Sequence, residues 1–480
     1  MAFFRLSLLF LFLLGISRLQ SNAQQLWGIA DAGGANGLGV IFKIKLDGSA
    51  YEVVYSFSAS TGFKTRGKLM RANDGIFYGT TQGGGIYGNG VIFRFNPYFN
   101  SYQALYHFDG PDGKQPFKSD LMQAKDGKIY GVAEAGGLYN KGVIFSFDPV
   151  ENVYSKLHDF SGIDGNLPRS GLLQARNGWL YGTTYYGGTA YDVGVLYRYD
   201  PVANIYSTLR SFNIYYEGSY PISNLLEGGN GRIYGAFSMG TNMVNSWIFS
   251  TDSLGGNFID HRYTDGSNGS QILSNIVQAP NGKIFGTTFQ GGAFGKGTII
   301  RADTAGGGYV PANLCTNLHN FNDTAGASGN GGLVLASNGM LYGLATFGGD
   351  FALMGGFGGG VLYRLDTATL AFEVLHVFHA ASGYYPSGSL IETEMISNVR
   401  SESSEMPELQ VFPNPGSGDF VVESQIPITE IRVVDAQGKL LQWHLPKSTK
   451  LSFGLTQPGF YFAWFKCQER WMVKKLVVMH

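Results

Sequence analysis

The sequence predicts an all-β fold: a seven-bladed β-propeller followed by a small β-sandwich. Three observations carry this. An aromatic-Gly pair recurs at Trp27-Gly28, Tyr78-Gly79, Tyr130-Gly131, Tyr181-Gly182, Tyr234-Gly235, Phe285-Gly286 and Tyr342-Gly343, with successive spacings of 51, 52, 51, 53, 51 and 57 residues. Each copy holds four strand-like segments divided by turn residues, and a four-stranded unit repeated near fifty residues is a propeller blade. Finally, the first copy lacks its first segment, and a matching segment follows the seventh.

Composition agrees. Among 480 residues there are 70 glycines, 14% aromatic and only 14% charged residues, which suits short aromatic strands joined by tight turns. A net charge of −1 leaves no basic footprint for nucleic acid. The two cysteines, Cys315 and Cys467, exclude a disulfide framework and a cysteine-based zinc site.

Taken in order, the chain opens with a targeting pattern. Arg5 precedes the apolar run LSLLFLFLLGI from Leu6 to Ile16, and Ser21-Asn22-Ala23 offers a small-residue cleavage site between Ala23 and Gln24. Residues 1–23 are therefore expected to be a signal peptide. The run is too short for a transmembrane helix, and no later segment reaches about eighteen uninterrupted apolar residues.

The fourth copy shows the blade most clearly. Its first segment, SGLLQA (Ser170 to Ala175), ends at Asn177-Gly178, where a type I′ hairpin turn is expected. Asp74-Gly75, Asp126-Gly127, Asn230-Gly231, Asn281-Gly282 and Asn338-Gly339 stand at the same place. WLYGTTYY, Gly187-Gly188 and GVLYRY follow, stopped by Asp200-Pro201, since proline ends ladder pairing. A fourth segment ends in an aromatic, which through the seven copies is Phe57, Phe108, Phe160, Phe212, Tyr263, Phe321 and Phe378. The missing first segment of copy one is supplied by SGSLI (Ser387 to Ile391), so the ring is expected over 24–392 and closes without an open edge.

The repeat, with its YGTT…GG…GVIFRF core, is similar to the GloVer repeat of secreted bacterial proteins; kelch propellers are a looser relative. That resemblance implies export and repetition and no particular reaction. Residues 393–408 have linker composition. Residues 409–480 are read as about seven short strands in a β-sandwich. Phe412-Pro413-Asn414-Pro415, Ile431-Arg432-Val433 with Asp435 to Lys439, Gly459-Phe460-Tyr461 and Lys474-Lys475-Leu476-Val477-Val478 lie there in order. They resemble the type A C-terminal sorting domain of the type IX (Por) secretion system. The resemblance implies a Bacteroidota-type cell and the type IX machinery as partner. It also implies cleavage of the domain, with release or attachment to surface lipopolysaccharide.

No HExxH, P-loop, nucleophile elbow or EF-hand motif is present. Tyr55, Tyr106, His158, Arg210, His261, His319 and His376 share one register before the fourth-segment aromatic. A metal-binding ring is one reading. A structural role, with each side chain packing its body and bonding its tip, is favoured, because equivalent sites of neighbouring blades lie beyond ligand reach of one ion. The position four residues after each aromatic-Gly aromatic varies instead: Asp31, Gln82, Glu134, Tyr185, Ser238, Phe289 and Thr346. Its frame hardly changes, so packing does not demand the variation, and these residues are the candidate ligand site near a loop-bearing rim. Asp31 and Glu134 could alternatively form an acid/base pair. No cofactor is expected, although DGPDGKQP and SGIDGNLP could offer oxygen ligands to Ca²⁺. Ser253, Thr304, Thr324 and Thr367 follow aspartates in a pattern that resembles Bacteroidota O-glycosylation sites. The leading expectation is a secreted or surface propeller that binds an extracellular ligand such as a polysaccharide. An exported polysaccharide hydrolase or lyase and a passive adhesion scaffold stay open, with the balance against an enzyme.

Overall fold

The structure, a computed structural model, describes residues 24–240, 246–261, 266–302, 315–350, 356–394, 409–412, 419–435, 440–457, 459–467 and 470–478. The expected signal peptide, with Ala23, and Thr304 lie outside them. The described residues contain no α-helix. Seven antiparallel sheets follow one another, each of four strands except the fifth, whose inner edge is split into Ser219–Pro221 and Leu226–Glu227.

The first blade joins the two ends of the ring. Its inner strand, Tyr384–Glu394, pairs with Gln24–Ala32, which leads to Val40–Lys45 and Glu52–Ser56. Leu26 faces Glu392 and Trp27 faces Ile391, and the Trp27 indole donates to Thr393 Oγ1 at 3.2 Å. Blade two, Met70–Arg71, Phe77–Thr81, Val91–Asn96 and Ser101–His107, repeats the same order with all strands consecutive.

The aromatic-Gly pair has a packing cause. The glycine leaves room for the aromatic ring of the third strand: a Cβ on Gly79 would lie 2.5 Å from the Phe93 ring. In blade six the third strand offers Ile300 instead, and a Cβ on Gly286 would meet nothing nearer than 3.3 Å. Apolar clusters then form between blades. Trp27, Ile41 and Phe57 of blade one pack against Leu69, Phe77, Phe93 and Phe95 of blade two, all essentially buried. Each such ring contributes roughly 2–3 kcal/mol by leaving water.

The Asx-Gly turns differ from the expected type I′. Only the glycine has positive φ, as at Gly178 (89°), and Gly178 N–H donates to Ala175 O while Ala175 N–H donates to Trp179 O. This is a type I turn closed by a left-handed glycine. The Asx residue stays right-handed because its side chain is already engaged. Asn177 Oδ1 accepts from Trp179 N–H, and its Nδ2 donates to Tyr181 OH at 2.8 Å.

These turns also clasp neighbouring blades. The side-chain oxygens of Gln123, Gln174, Glu227, Gln278 and Glu392 accept the backbone N–H of Asn73, Lys125, Arg176, Gly229 and Ser337 at 2.8–2.9 Å. The sixth blade's turn carries Pro280, which has no N–H, and the matching acceptor is replaced by Leu335.

In six of the seven blades the register shared by tyrosine, histidine and arginine is an inter-blade stack, whereas His261 contacts Ser250 and Tyr234 of its own blade. His158 lies on Tyr206 at 3.9 Å, His319 on Phe372 at 3.6 Å and His376 on Tyr51 at 3.7 Å, all nearly parallel. Tyr55 and Tyr106 stack on Tyr102 and Tyr154, and Arg210 covers Phe258.

Among the described residues the C-terminal unit has six strands, against about seven expected. Two expected strands are one bent strand, Asp419–Asp435, which pairs with Leu409–Phe412 and Ser448–Gly454 along its first half. Its second half pairs with Leu440–His444 and Gly459–Cys467. The register shifts between Glu423 and Ile428, around Pro427, so one strand changes partners without a turn. Phe420, Ile431, Val433, Phe453 and Phe465 form its core. The unit meets the ring at blade two, where Tyr98 lies 4.5 Å from Trp464 and Phe99 lies 4.6 Å from Phe462.

Candidate functional site

Every blade starts its inner strand from one backbone device. Lys64, Gln115, Leu167, Tyr220, Gln271, Ser328 and Tyr385 all have φ between 52° and 59°. This left-handed residue turns the chain inward toward the axis. Its carbonyl accepts the backbone N–H of the variable position, as from Gln82 to Lys64 O and from Tyr185 to Leu167 O. The variable positions therefore surround the end of the central channel where the inner strands begin.

The channel is narrow and polar. Asp120 is buried and accepts from Lys68 N–H at 2.7 Å, Asn224 Nδ2 at 2.6 Å and Asn275 Nδ2 at 3.0 Å, joining four blades at one carboxylate. Gly171 passes so close that a Cβ would lie 2.6 Å from Asp120 O. Only a small, partly open pocket remains, lined by Arg66, Lys118, Asp120, Asn275 and Asn330 among others.

Blade three departs from the repeat. From the left-handed residue to the leucine two places after a buried serine (Ser119, Ser170 and Ser223), Leu167 to Leu172 and Tyr220 to Leu225 each span five steps, while Gln115 to Leu121 spans six. The extra residue is absorbed by a second left-handed conformation at Lys118 (φ 47°). Lys118 is thereby thrown across the axis, where its ammonium donates to Leu273 O at 3.1 Å and to Asn330 Oδ1. Burial, and then the charge of Arg66, pull its pKa down to about 8.

Around this strut lies a ladder of rings and guanidiniums. Arg66 binds Asp31 at 2.9 Å and covers the Phe117 ring. Arg169 binds Glu134 at 2.6 Å and covers both Phe117, at 5.3 Å, and Tyr185, at 4.4 Å. Tyr185 stacks on Tyr220 at 5.1 Å and meets Tyr186 edge-on at 4.8 Å. Burial raises the Asp31 pKa, against the opposing effect of Arg66 and Ser387. The ladder spans blades two to five.

Of the seven variable positions, Asp31, Glu134 and Tyr185 are brought into this ladder. Ser238 and Thr346 are buried, and their hydroxyls donate to Tyr220 O and Pro386 O, so they serve the backbone. Gln82 and Phe289 are half-buried in other sectors of the rim. Arg66, Phe117, Lys118, Arg169 and Tyr220 were not singled out from the sequence. The blade-three insertion in QPFKSDL was the signal that could have found them.

The same face carries an outer set of aromatics at its loop tips. Among the described residues, Tyr87, Tyr139, Tyr191, Tyr215, Tyr216, Phe294 and Phe357 lie there, 54% to 77% exposed. On the opposite face of the ring the one exposed aromatic among the described residues is Phe99, at 37%, which packs on the C-terminal unit.

The loops offered as Ca²⁺ sites use their carboxylates internally. Asp109 Oδ1 accepts from Asp112 N–H, and Asp164 accepts from Ser161 and from His158 at 2.9 Å. Among the described residues no three His, Cys, Asp or Glu side chains converge as metal ligands. Thr324 is exposed, and Ser253 and Thr367 are half-buried, at their turns. No helix of the described residues is long and apolar enough to cross a membrane.

The family model of the Gloeobacter/Verrucomicrobia repeat matches residues 15–193 and 189–399. A secretion system C-terminal sorting domain matches residues 410–479. No curated protein matches the sequence. Two solved structures share the architecture. One, from Bacteroides uniformis and described as a 6-phosphogluconolactonase, is 13% identical over 77% of this chain and 99% of its own, with a TM-score of 0.53. A second, from Bacteroides fragilis and described likewise, is 12% identical over 78% and 99%, with a TM-score of 0.50. At such identity the likeness concerns the fold alone.

Proposed function

The chain belongs to the Gloeobacter/Verrucomicrobia repeat family, its sorting domain directs it through type IX secretion to the cell surface or medium, and we propose that its ring binds an extracellular polysaccharide at the channel mouth. The observation that carries this reading is the ladder Arg66–Phe117–Arg169–Tyr185–Tyr220. Pyranose faces stack on aromatic rings, and guanidiniums held in a plane donate to ring hydroxyls or carboxylates. The two carboxylates that could have served hydrolysis are each tied to an arginine, which favours recognition over catalysis. The sorting domain rests against the opposite side of blade two and leaves the mouth open.

A polysaccharide array and pull-down with the full-length chain tests this against Arg169→Ala and Tyr185→Ala. Saturable binding lost in both variants supports the reading. Absence of binding to every polysaccharide favours a displayed scaffold, and turnover of a bound polymer would restore the enzyme.

A further inference from the structure

We infer that the ligand is a long polymer, read by the mouth and by the outer crown of tyrosines together; this rests on the mouth being a glycan site. The crown is one-sided. Tyr87, Tyr139, Tyr191, Tyr215 and Tyr216 all lie on the mouth face, whereas the tips of the opposite face carry aliphatic residues such as Val150, Val202 and Leu254. Exposed aromatic rings scattered by drift would be shared between the two faces.

The fourth blade adds a second observation. In the Gly-Gly loops the left-handed turn position is held by Gly37, Gly88, Asn140 and Gly295, residues that adopt it readily. Blade four instead places Tyr191 there (φ 61°), followed by a left-handed Asp192 whose carboxylate accepts Gly187 N–H at 2.7 Å. A bulky ring is held in a strained conformation and presented outward, and its edge contact with Tyr215 at 5.0 Å makes a two-ring platform. Packing gains nothing from this, because both rings are more than half exposed. A sugar chain leaving the inner ladder at Tyr186 and Tyr220 in the same sector would meet this platform next. Tyr139 and Tyr87 occupy equivalent tips of the two preceding blades, so one chain could engage several sites at once. Each further contact is then intramolecular and raises affinity without new chemistry.

The test uses the full-length chain with laminarin, xylan, pectin, alginate and chitin, each as polymer and as hydrolysis ladders from two to twelve sugars. For the glycan that binds, affinity should rise at least about tenfold from tetramer to dodecamer. Tyr87→Ser/Tyr139→Ser/Tyr191→Gly should remove that gain and leave tetramer binding intact, whereas Arg169→Ala should weaken every length. Equal affinity for tetramer and dodecamer, or a length gain that survives the triple variant, overturns the polymer inference while the mouth stands. Failure of all five glycans to bind overturns the mouth reading and this inference with it.

Discussion

The two faces of the ring are built from the same blades under opposite constraints. On the face of the Asx-Gly turns, nearly every blade repeats the same contacts: a left-handed glycine, an Asx side chain reaching the next strand and a clasp to the neighbouring blade. Where one half of the clasp is removed by Pro280, the other half is gone as well, at Leu335. On the mouth face the backbone repeats equally well, with a left-handed residue in all seven blades, but the side chains do not. The repetition on one face is what closure demands. The divergence on the other, over an unchanging backbone, is free of that demand, which is why the proposed ligand site is placed there.

The largest effect should come from the closure itself. A chain ending before Tyr384 loses the inner strand of blade one and should fail to unfold cooperatively, whereas one ending after Glu394 should retain a sharp thermal transition. Next, Gly79→Ala should cost about 1–3 kcal/mol by overpacking against Phe93, while Gly286→Ala should cost less than about 1 kcal/mol. Chemical denaturation of the two variants decides whether ring-against-glycine packing sets the repeat.

Titration separates the wall of the ring from the mouth. Burial holds His319 and His376 down at about 4, and their Nε2 atoms have no hydrogen-bond partner. The unfolded chain binds these protons first, so stability should fall as pH drops from about 6.5 to 4. The loss is on the order of 1–2 kcal/mol for each after solvent screening. His319→Phe/His376→Phe should flatten that acid limb. Lys118 acts at the other end of the scale. Its folded pKa of about 8 lies below the unfolded value, so its charged form opposes folding, and this cost is relieved as pH rises from 8 toward 10.5. Any stability advantage of Lys118→Met should therefore shrink over that range. A smaller effect is expected at the clasp: Gln174→Ala should cost about 0.5–1.5 kcal/mol, since its partner N–H is reached by water.

The architecture was legible because repetition multiplies weak signals: one aromatic-Gly pair is a strand fragment, but seven in register, with SGSLI displaced to the far end, describe a ring. Local geometry was less legible. Asn177-Gly178 suggested a type I′ turn, yet the hydrogen bonds of the Asn177 side chain kept it right-handed. Near Pro427, two strands expected from the sequence run together as one bent strand. The mouth was half legible. Asp31, Glu134 and Tyr185 stood out by varying, but their partners Arg66, Phe117 and Arg169 come from segments distant in sequence that only the ring brings together. Lys118 was hidden in an insertion of one residue, visible only when the blades are aligned by their left-handed positions.

The claim that function resides on the mouth face is tested most directly by measuring polysaccharide affinity for two full-length variants side by side. One carries Arg169→Ala and Tyr185→Ala at the mouth; the other carries Val202→Ser and Leu254→Ser on the opposite face. Both should fold, the opposite-face variant with the parent's thermal midpoint and the mouth variant somewhat lower, because Arg169→Ala leaves the Glu134 carboxylate without its partner. Binding should be abolished in the first and unchanged in the second. Binding that survives the mouth changes, or is lost on the opposite face, would contradict the claim.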